Sequence, residues 1–225
     1  MIRLSPTAIK DYLKCSKMFF YRRAFPEESV TSQEAAVGTI VHKVAETIWK
    51  DPNYEEQAAK LISQYDIDLT GQGKIYACLN NIRQTFGGFL EMMTDSDLIE
   101  HEFNVKLNKE VSISGKMDRV IPTEDTVIDW KTGTTKRDIS NDIQFIIYYW
   151  AYQKIFEKTP KVYQVNVARS DFSLFWPRKV YVDTLFDSII PKMVDSIKKN
   201  KYYKEGYYNG GCYRCNFIGV CSRDP

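Results

Sequence analysis

Val111-Ser-Ile-Ser-Gly115-Lys-Met-Asp118-Arg-Val-Ile121, then Pro122-Thr-Glu-Asp125, then Thr126-Val-Ile-Asp129-Trp-Lys131 sets the plan of the chain. Two runs rich in Val and Ile flank a short polar segment, which is the pattern of two strands joined by a turn. With the turn centred on Thr123-Glu124, antiparallel pairing sets Asp118 directly opposite Asp129, because each lies five positions from that pair. Directly opposed Cβ atoms stand roughly 4.5–5.5 Å apart, so both carboxylates share one face, where a cation between them relieves their repulsion. Lys131 follows Asp129 by two residues and shares that face. Pro-Thr-Glu-Asp makes a poor primed turn, so a longer loop that keeps the same faces is equally compatible.

Helical and extended patterns surround this hairpin. Upstream, Ser5-Pro6 reads as an N-cap with proline at the first helical position, opening a helix to about Arg23 that contains Cys15. Further helices are expected over 32–49, 54–66 and 73–94, the last weakened by Gly87-Gly88. A strand near 99–107 precedes the hairpin. Downstream come a helix over 139–157, a second hairpin of 161–169 and 173–182 around Ser170-Asp171, and a final helix near 183–203. The expected class is α/β: a mixed central sheet of about four to six strands flanked by helices. One domain over 1–225 is expected, mostly helical over 1–95, with a core over 96–182 and a helix plus cysteine-rich segment over 183–225.

Composition narrows the class without choosing a function. The 225 residues are 44% hydrophobic, ordinary for a globular chain, and the formal net charge of +2 is too small to establish nucleic-acid binding. No apolar run of membrane-spanning length or leader-like block is present, so a cytoplasmic protein with no membrane partner is expected. Of the five cysteines, Cys78 stands alone in a helical segment and reads as a small buried side chain. Cys15 and the run Cys212-x2-Cys215-x5-Cys221 point to a metal rather than to disulfides in a reducing compartment. On spacing alone, four thiolates suit tetrahedral zinc and an iron-sulfur cluster equally.

Two acids and a lysine on one face suit phosphodiester hydrolysis. A hard divalent cation takes oxygen ligands, activates a bound water and neutralises charge on the transition state. A lone Asp/Lys pair is more often a solvated ion pair, so further residues must converge. His42 and Glu46 form an i, i+4 pair able to face one ion together. Glu102, at the start of its strand, is an added oxygen ligand or a surface acid. Gln144 and Tyr148, again i, i+4, can position a phosphate or the lysine.

In order, Gly38-x3-His42, Glu102, Gly115-Lys116-Met117-Asp118-Arg119, Ile128-Asp129-Trp130-Lys131-Thr132-Gly133 and Gln144-x3-Tyr148 resemble the RecB-like branch of the PD-(D/E)XK nuclease superfamily. The resemblance implies a restriction-endonuclease-like core. It also implies that His42, Asp118, Asp129 and the Trp130 carbonyl bind Mg²⁺ or Mn²⁺, that Lys131 acts on the attacking water, and that Gln144 and Tyr148 line the substrate site. Cys15 with Cys212, Cys215 and Cys221 resembles the 4Fe-4S ligand layout of CRISPR-associated RecB-like exonucleases and AddB nuclease domains, with Cys15-Ser16 where those carry Cys-Pro. The function implied is a DNA exonuclease, acting on single strands with 5′-to-3′ polarity, in repair, recombination or CRISPR spacer acquisition beside the proteins of such a complex. The competing reading is a non-catalytic nucleic-acid-binding adaptor that keeps the fold and cluster.

Overall fold

In the computed structural model, which describes residues 1–25, 32–134, 138–207 and 210–222, six strands form one mixed sheet. They are β1 (Ile2–Leu4), β2 (Leu98–Lys106), β3 (Val111–Ile121), β4 (Thr126–Lys131), β5 (Lys161–Asn166) and β6 (Asp171–Phe175). The long β3 is the axis. β2 runs antiparallel along one edge of it, while the other edge carries β1 in parallel at Val111–Ile113 and β4 in antiparallel at Arg119–Ile121. β5 then adds in parallel to β4, and β6 in antiparallel to β5. The α/β class with a mixed, helix-flanked sheet is as the sequence indicates. β1 escapes sequence reading because three residues are too few to show alternation and its pairing is non-local.

The β3–β4 register pairs Arg119 with Ile128, Val120 with Val127 and Ile121 with Thr126, the register that a turn centred on Thr123-Glu124 demands. The connection is a 3₁₀ turn, Pro122–Glu124, closed by Asp125 at φ 47°. Asp125 is held in that left-handed conformation from both sides: its side chain accepts from Tyr152 Oη at 3.0 Å, and its carbonyl accepts from Lys161 N at 2.7 Å. The ladder stops one position before Asp118 and Asp129.

Ten helices surround the sheet among the described residues: α1 (Pro6–Lys14), α2 (Ser16–Ala24), α3 (Gln33–Ala45), α4 (Tyr54–Ile62), α5 (Leu69–Thr85), α6 (Gly87–Glu91), α7 (Ile143–Phe156), α8 (Lys179–Asp183), α9 (Ile190–Lys199) and α10 (Ile218–Cys221). Ser5, Ser32, Asp68 and Asp142 cap α1, α3, α5 and α7 with side-chain oxygens that accept otherwise unpaired first-turn N–H groups. One apolar core joins α1, α7 and α9 to the sheet through Ile9, Val127, Phe145 and Met193. A second joins α3 and α5 to the sheet through Ile40, Leu79, Ile128 and Trp130.

Three expectations change. The helix to Arg23 is broken, because Cys15 is extended at φ −169° and separates α1 from α2. The strand expected over 173–182 ends at Phe175, where Pro177 removes a ladder donor, and Val180-Tyr181-Val182 turn helical despite their β preference. The final helix starts earlier, at Lys179, and carries a π turn over Thr184–Ile189. The missing N–H of Pro191, just beyond that turn, interrupts the regular ladder there.

Candidate active site

The site opens where β3 and β4 cease to pair. Asp118 Oδ2 takes the place of a ladder acceptor, receiving the Trp130 N–H at 2.8 Å, and lies 3.3 Å from His42 Nδ1. Helix α3 passes the end of β4 at Gly38, where a Cβ would stand 3.4 Å from Thr132 Oγ1, an ordinary contact. One turn beyond His42, the carbonyl of Glu46 accepts from Arg119 Nη1 at 3.2 Å. The buried Arg119 also donates through Nε to buried Asp97 at 2.8 Å and lies over the Trp49 ring. This buried cation therefore clamps the end of α3 onto β3.

Glu100 reaches the same spot from β2. The β2–β3 register pairs Ile99 with Arg119 and His101 with Met117 but skips the Glu100–Asp118 position, and Glu100 has φ 50°. A non-glycine residue in this region costs about 1–2 kcal/mol; here it sits at the acidic site. One ligand atom each from His42, Glu100 and Asp118 lies within 4.8 Å of the others. Glu102 is exposed, opposite Lys116, and outside that group. Glu100 and Glu102 have the same parity in a regular strand, so alternation could not separate them; the break at Glu100 does. Glu46, expected beside His42, pairs with Lys43 at 3.2 Å instead.

Asp129, Lys131, Gln144 and Tyr148 form the second half. Asp129 is fully buried; its Oδ2 is 2.8 Å from Lys131 Nζ, and its Oδ1 accepts from Gln144 Nε2 at 2.8 Å. Gln144 Nε2 also bonds Tyr148 Oη at 2.8 Å, and that hydroxyl donates to the Lys116 carbonyl at 2.6 Å. Tyr148 is backed edge-on by Phe103, whose ring fills the space over Gly115: a Cβ there would come within 2.7 Å of it. Gly115 thus serves the site through Phe103 and Tyr148. The sequence reading missed Lys10, which sits on α1, 2.8 Å from Asp142 and 3.5 Å from Gln144 Oε1. Lys10, Lys131, Gln144, Gln164 and Asn166 line a cleft of about 210 Å³. No local motif marks Lys10; only the packing of α1 against α7 brings it there.

The charges of His42, Asp118 and Lys131 support one another, whereas that of Asp129 is disfavoured. Burial alone would raise the Asp118 carboxyl, but the His42 hydrogen bond and charge, Lys131 and the Trp130 N–H hold it below its usual range. Burial opposes protonation of His42, which is nonetheless raised by Asp118 and Asp129. Burial likewise opposes the Lys131 charge, yet Asp129 and Asp118 keep it a firm ammonium. Asp129 is pushed up to about 6, by burial first and by Asp118, against the pull of Lys131. Burial and the same two carboxylates keep Tyr148 protonated well above the usual phenol range. Carboxylate oxygens beside one imidazole form a donor set suited to a hard divalent cation.

At the far end of α1 lie the cysteines. Cys15, Cys212, Cys215 and Cys221 line one cavity of about 200 Å³. The extended backbone at Cys15 is strapped to the C-terminal segment: Tyr203 N donates to Ser16 Oγ at 2.7 Å, and Ser16 N donates to Glu205 Oε2 at 2.9 Å. A Cβ on Gly206 would stand 3.3 Å from Cys212 Sγ, so a side chain there would crowd the sulfurs. Burial, then the other three cysteines, raise the Cys212 thiol. Cys78 is buried in the second core, and burial pushes its thiol up to about 11.

The sequence profile of the PD-(D/E)XK nuclease superfamily matches residues 3–222. No curated protein matches the chain significantly in sequence. Among solved structures, "Putative exonuclease" from Eubacterium rectale is 12% identical with a TM-score of 0.60, over 90% of this chain and 84% of that one. The structure of SSO0001 is 13% identical with a TM-score of 0.49, over 98% of this chain and 86% of that one.

Proposed function

The chain belongs to the PD-(D/E)XK nuclease superfamily, and from that premise we propose that it hydrolyses DNA as a Mg²⁺- or Mn²⁺-dependent exonuclease acting on single strands with 5′-to-3′ polarity. The observation that carries the proposal is the convergence of His42, Glu100 and Asp118 within 4.8 Å of one another beside the buried Asp129–Lys131 pair. His42, Asp118, Asp129 and the Trp130 carbonyl, with Glu100 added by its position, would hold the cation. When bound, the cation would supply Lewis-acid charge at the scissile phosphate and lower the pKa of a bound water.

The side chains fill distinct roles. Lys131 stays an ammonium, so it holds the attacking water or a phosphate oxygen rather than taking a proton from the water. Asp129, 2.8 Å from Lys131, holds that ammonium beside the position of the cation. Gln144 fixes Asp129, and Tyr148 fixes Gln144 against the Lys116 carbonyl. Lys10 reaches the cleft as a pair with Asp142, which lines it too, and its ammonium can reach a phosphate only beside that carboxylate.

The same proposal assigns a 4Fe-4S cluster to Cys15, Cys212, Cys215 and Cys221. The four thiols line one cavity, and four thiolates suit zinc as well as a cluster; the likeness of their layout to the iron-sulfur nucleases is what favours the cluster. The cluster would staple both chain ends to the core, since binding of remote ligands adds to folding free energy. DNA repair, recombination or CRISPR spacer acquisition is the setting the motif resemblance implies.

The test is digestion of end-labelled and end-blocked DNA, single- and double-stranded, with Mg²⁺, Mn²⁺ or EDTA. Metal-dependent shortening of free-ended single strands is expected. A wild-type protein that binds DNA and cleaves none would establish the adaptor reading instead.

A further inference from the structure

A second cavity, with no lining residue in common with the catalytic cleft, has no part in the chemistry described above. It measures about 540 Å³ and is lined by Asp138, Ile139, Ser140, Ser173, Trp176 and Arg178. Its connection to the active site is written in the sheet register. Asp129 on β4 pairs with Gln164 on β5, and Gln164 pairs with Ser173 on β6, so the three form one row across the sheet. Gln164 lines the catalytic cleft and Ser173 lines the second cavity. At the ordinary strand spacing, Ser173 stands roughly 10 Å along that row from Asp129.

The outer wall carries Trp176-Pro177-Arg178. Trp176 is 71% exposed on the cavity wall. Pro177 fixes its own φ and holds the preceding tryptophan extended, so the indole is presented on a stiff backbone. Arg178 places a guanidinium on the same wall. Among the described residues of the lining the one acid is Asp138, whose Oδ1 accepts from Ser140 N and Oδ2 from Ser140 Oγ, both at 2.9 Å, and whose carboxylate also feels the Arg178 charge, so a phosphate would compete with it for that guanidinium. An exposed indole and a guanidinium on one cavity wall, one strand across the sheet from a residue that lines the catalytic cleft, match a stacking platform for an unpaired base with an anchor for its phosphate.

We propose that this cavity is a subsite for single-stranded nucleic acid, in which Trp176 stacks on the base of a nucleotide flanking the scissile bond and Arg178 holds that nucleotide's phosphate. The subsite rests on the nuclease reading and adds a reason for preferring single strands: a base can stack on Trp176 only when it is free of a complementary partner.

The probe is a fluorescein-labelled oligothymidylate bound to the full-length protein in EDTA, where hydrolysis does not intervene, with a thermal melt checking that each variant is folded. Trp176→Ala is expected to weaken binding roughly 5–150-fold, the range of one base–aromatic stack, and Trp176→Phe to restore most of it. Arg178→Ala should weaken binding and flatten its salt dependence. Binding by Trp176→Ala as tight as wild type, in a protein whose wild type degrades DNA, would overturn the subsite alone. A wild type that neither binds nor degrades DNA would overturn the nuclease reading along with it.

Discussion

Replacing Asp129 by Asn should make the metal-free protein more stable at neutral pH while removing its activity. Asp129 is fully buried, and burial together with Asp118 lifts its carboxyl from an ordinary 3.8 to about 6. A folded-state pKa above the unfolded value means that the native state binds the extra proton. Stability from this group is therefore full below pH 3.8, falls as the pH rises to about 6, and is flat beyond. At 1.36 kcal/mol per pH unit, the negative charge costs the folded state about 3 kcal/mol at pH 7. Asn keeps the shape of the neutral acid, and Lys131 loses no more than it loses when Asp129 is protonated. Urea unfolding in EDTA should show the variant more stable by up to about 3 kcal/mol at pH 7 and by almost nothing at pH 4. Added Mn²⁺ should narrow the gap, because a cation that binds the native wild type stabilises it by mass action. A variant less stable than wild type at pH 7 in EDTA would show that the pair with Lys131 outweighs the burial of the charge, and would refute the reasoning.

Other perturbations probe the supports of the site. Gly115→Ala puts a Cβ 2.7 Å from the Phe103 ring, so it should cost about 1–3 kcal/mol of overpacking and, by shifting Tyr148, reduce cleavage; denaturant titration and a rate assay read both. Asp97→Ala leaves the Arg119 guanidinium buried without its carboxylate and should cost about 3–5 kcal/mol in the same titration. Asp118 and Asp129 raise the proton affinity of His42 against its burial, so Mn²⁺ competes with a proton there; calorimetry should show affinity falling as the pH drops, and His42→Ala should flatten that dependence. Cys215→Ala should remove absorbance near ~400 nm, a band that zinc's filled d-shell cannot give; undiminished colour would remove Cys215 from the ligand set.

What could be read in the sequence was local and periodic. The β3 and β4 boundaries, their register and the facing positions of Asp118 and Asp129 follow from alternation about one turn, and the structure has that register. Gln144 and Tyr148 were legible as an i, i+4 pair, and they share one hydrogen bond. What escaped depends on packing between remote segments. Lys10 enters the cleft only because α1 lies against α7, and Glu100 differs from Glu102 only through a backbone break that strand periodicity does not encode. Cys15 sits in a pattern that reads as continuous helix, yet Ser16, Tyr203 and Glu205 turn the chain there, and those bonds span nearly the whole sequence. Val180-Tyr181-Val182 has the composition of a strand, but Pro177 ends pairing before it begins.

The most direct measurement is single-turnover degradation of end-labelled single-stranded DNA by the wild type, Asp118→Asn and Lys131→Ala in Mn²⁺, with thermal melts run alongside. The wild type should shorten the strand, and each variant should stay folded while losing at least about 10²–10³-fold in rate, the scale on which one preorganised charge acts on a transition state. Either folded variant cutting at the wild-type rate would contradict the site as described.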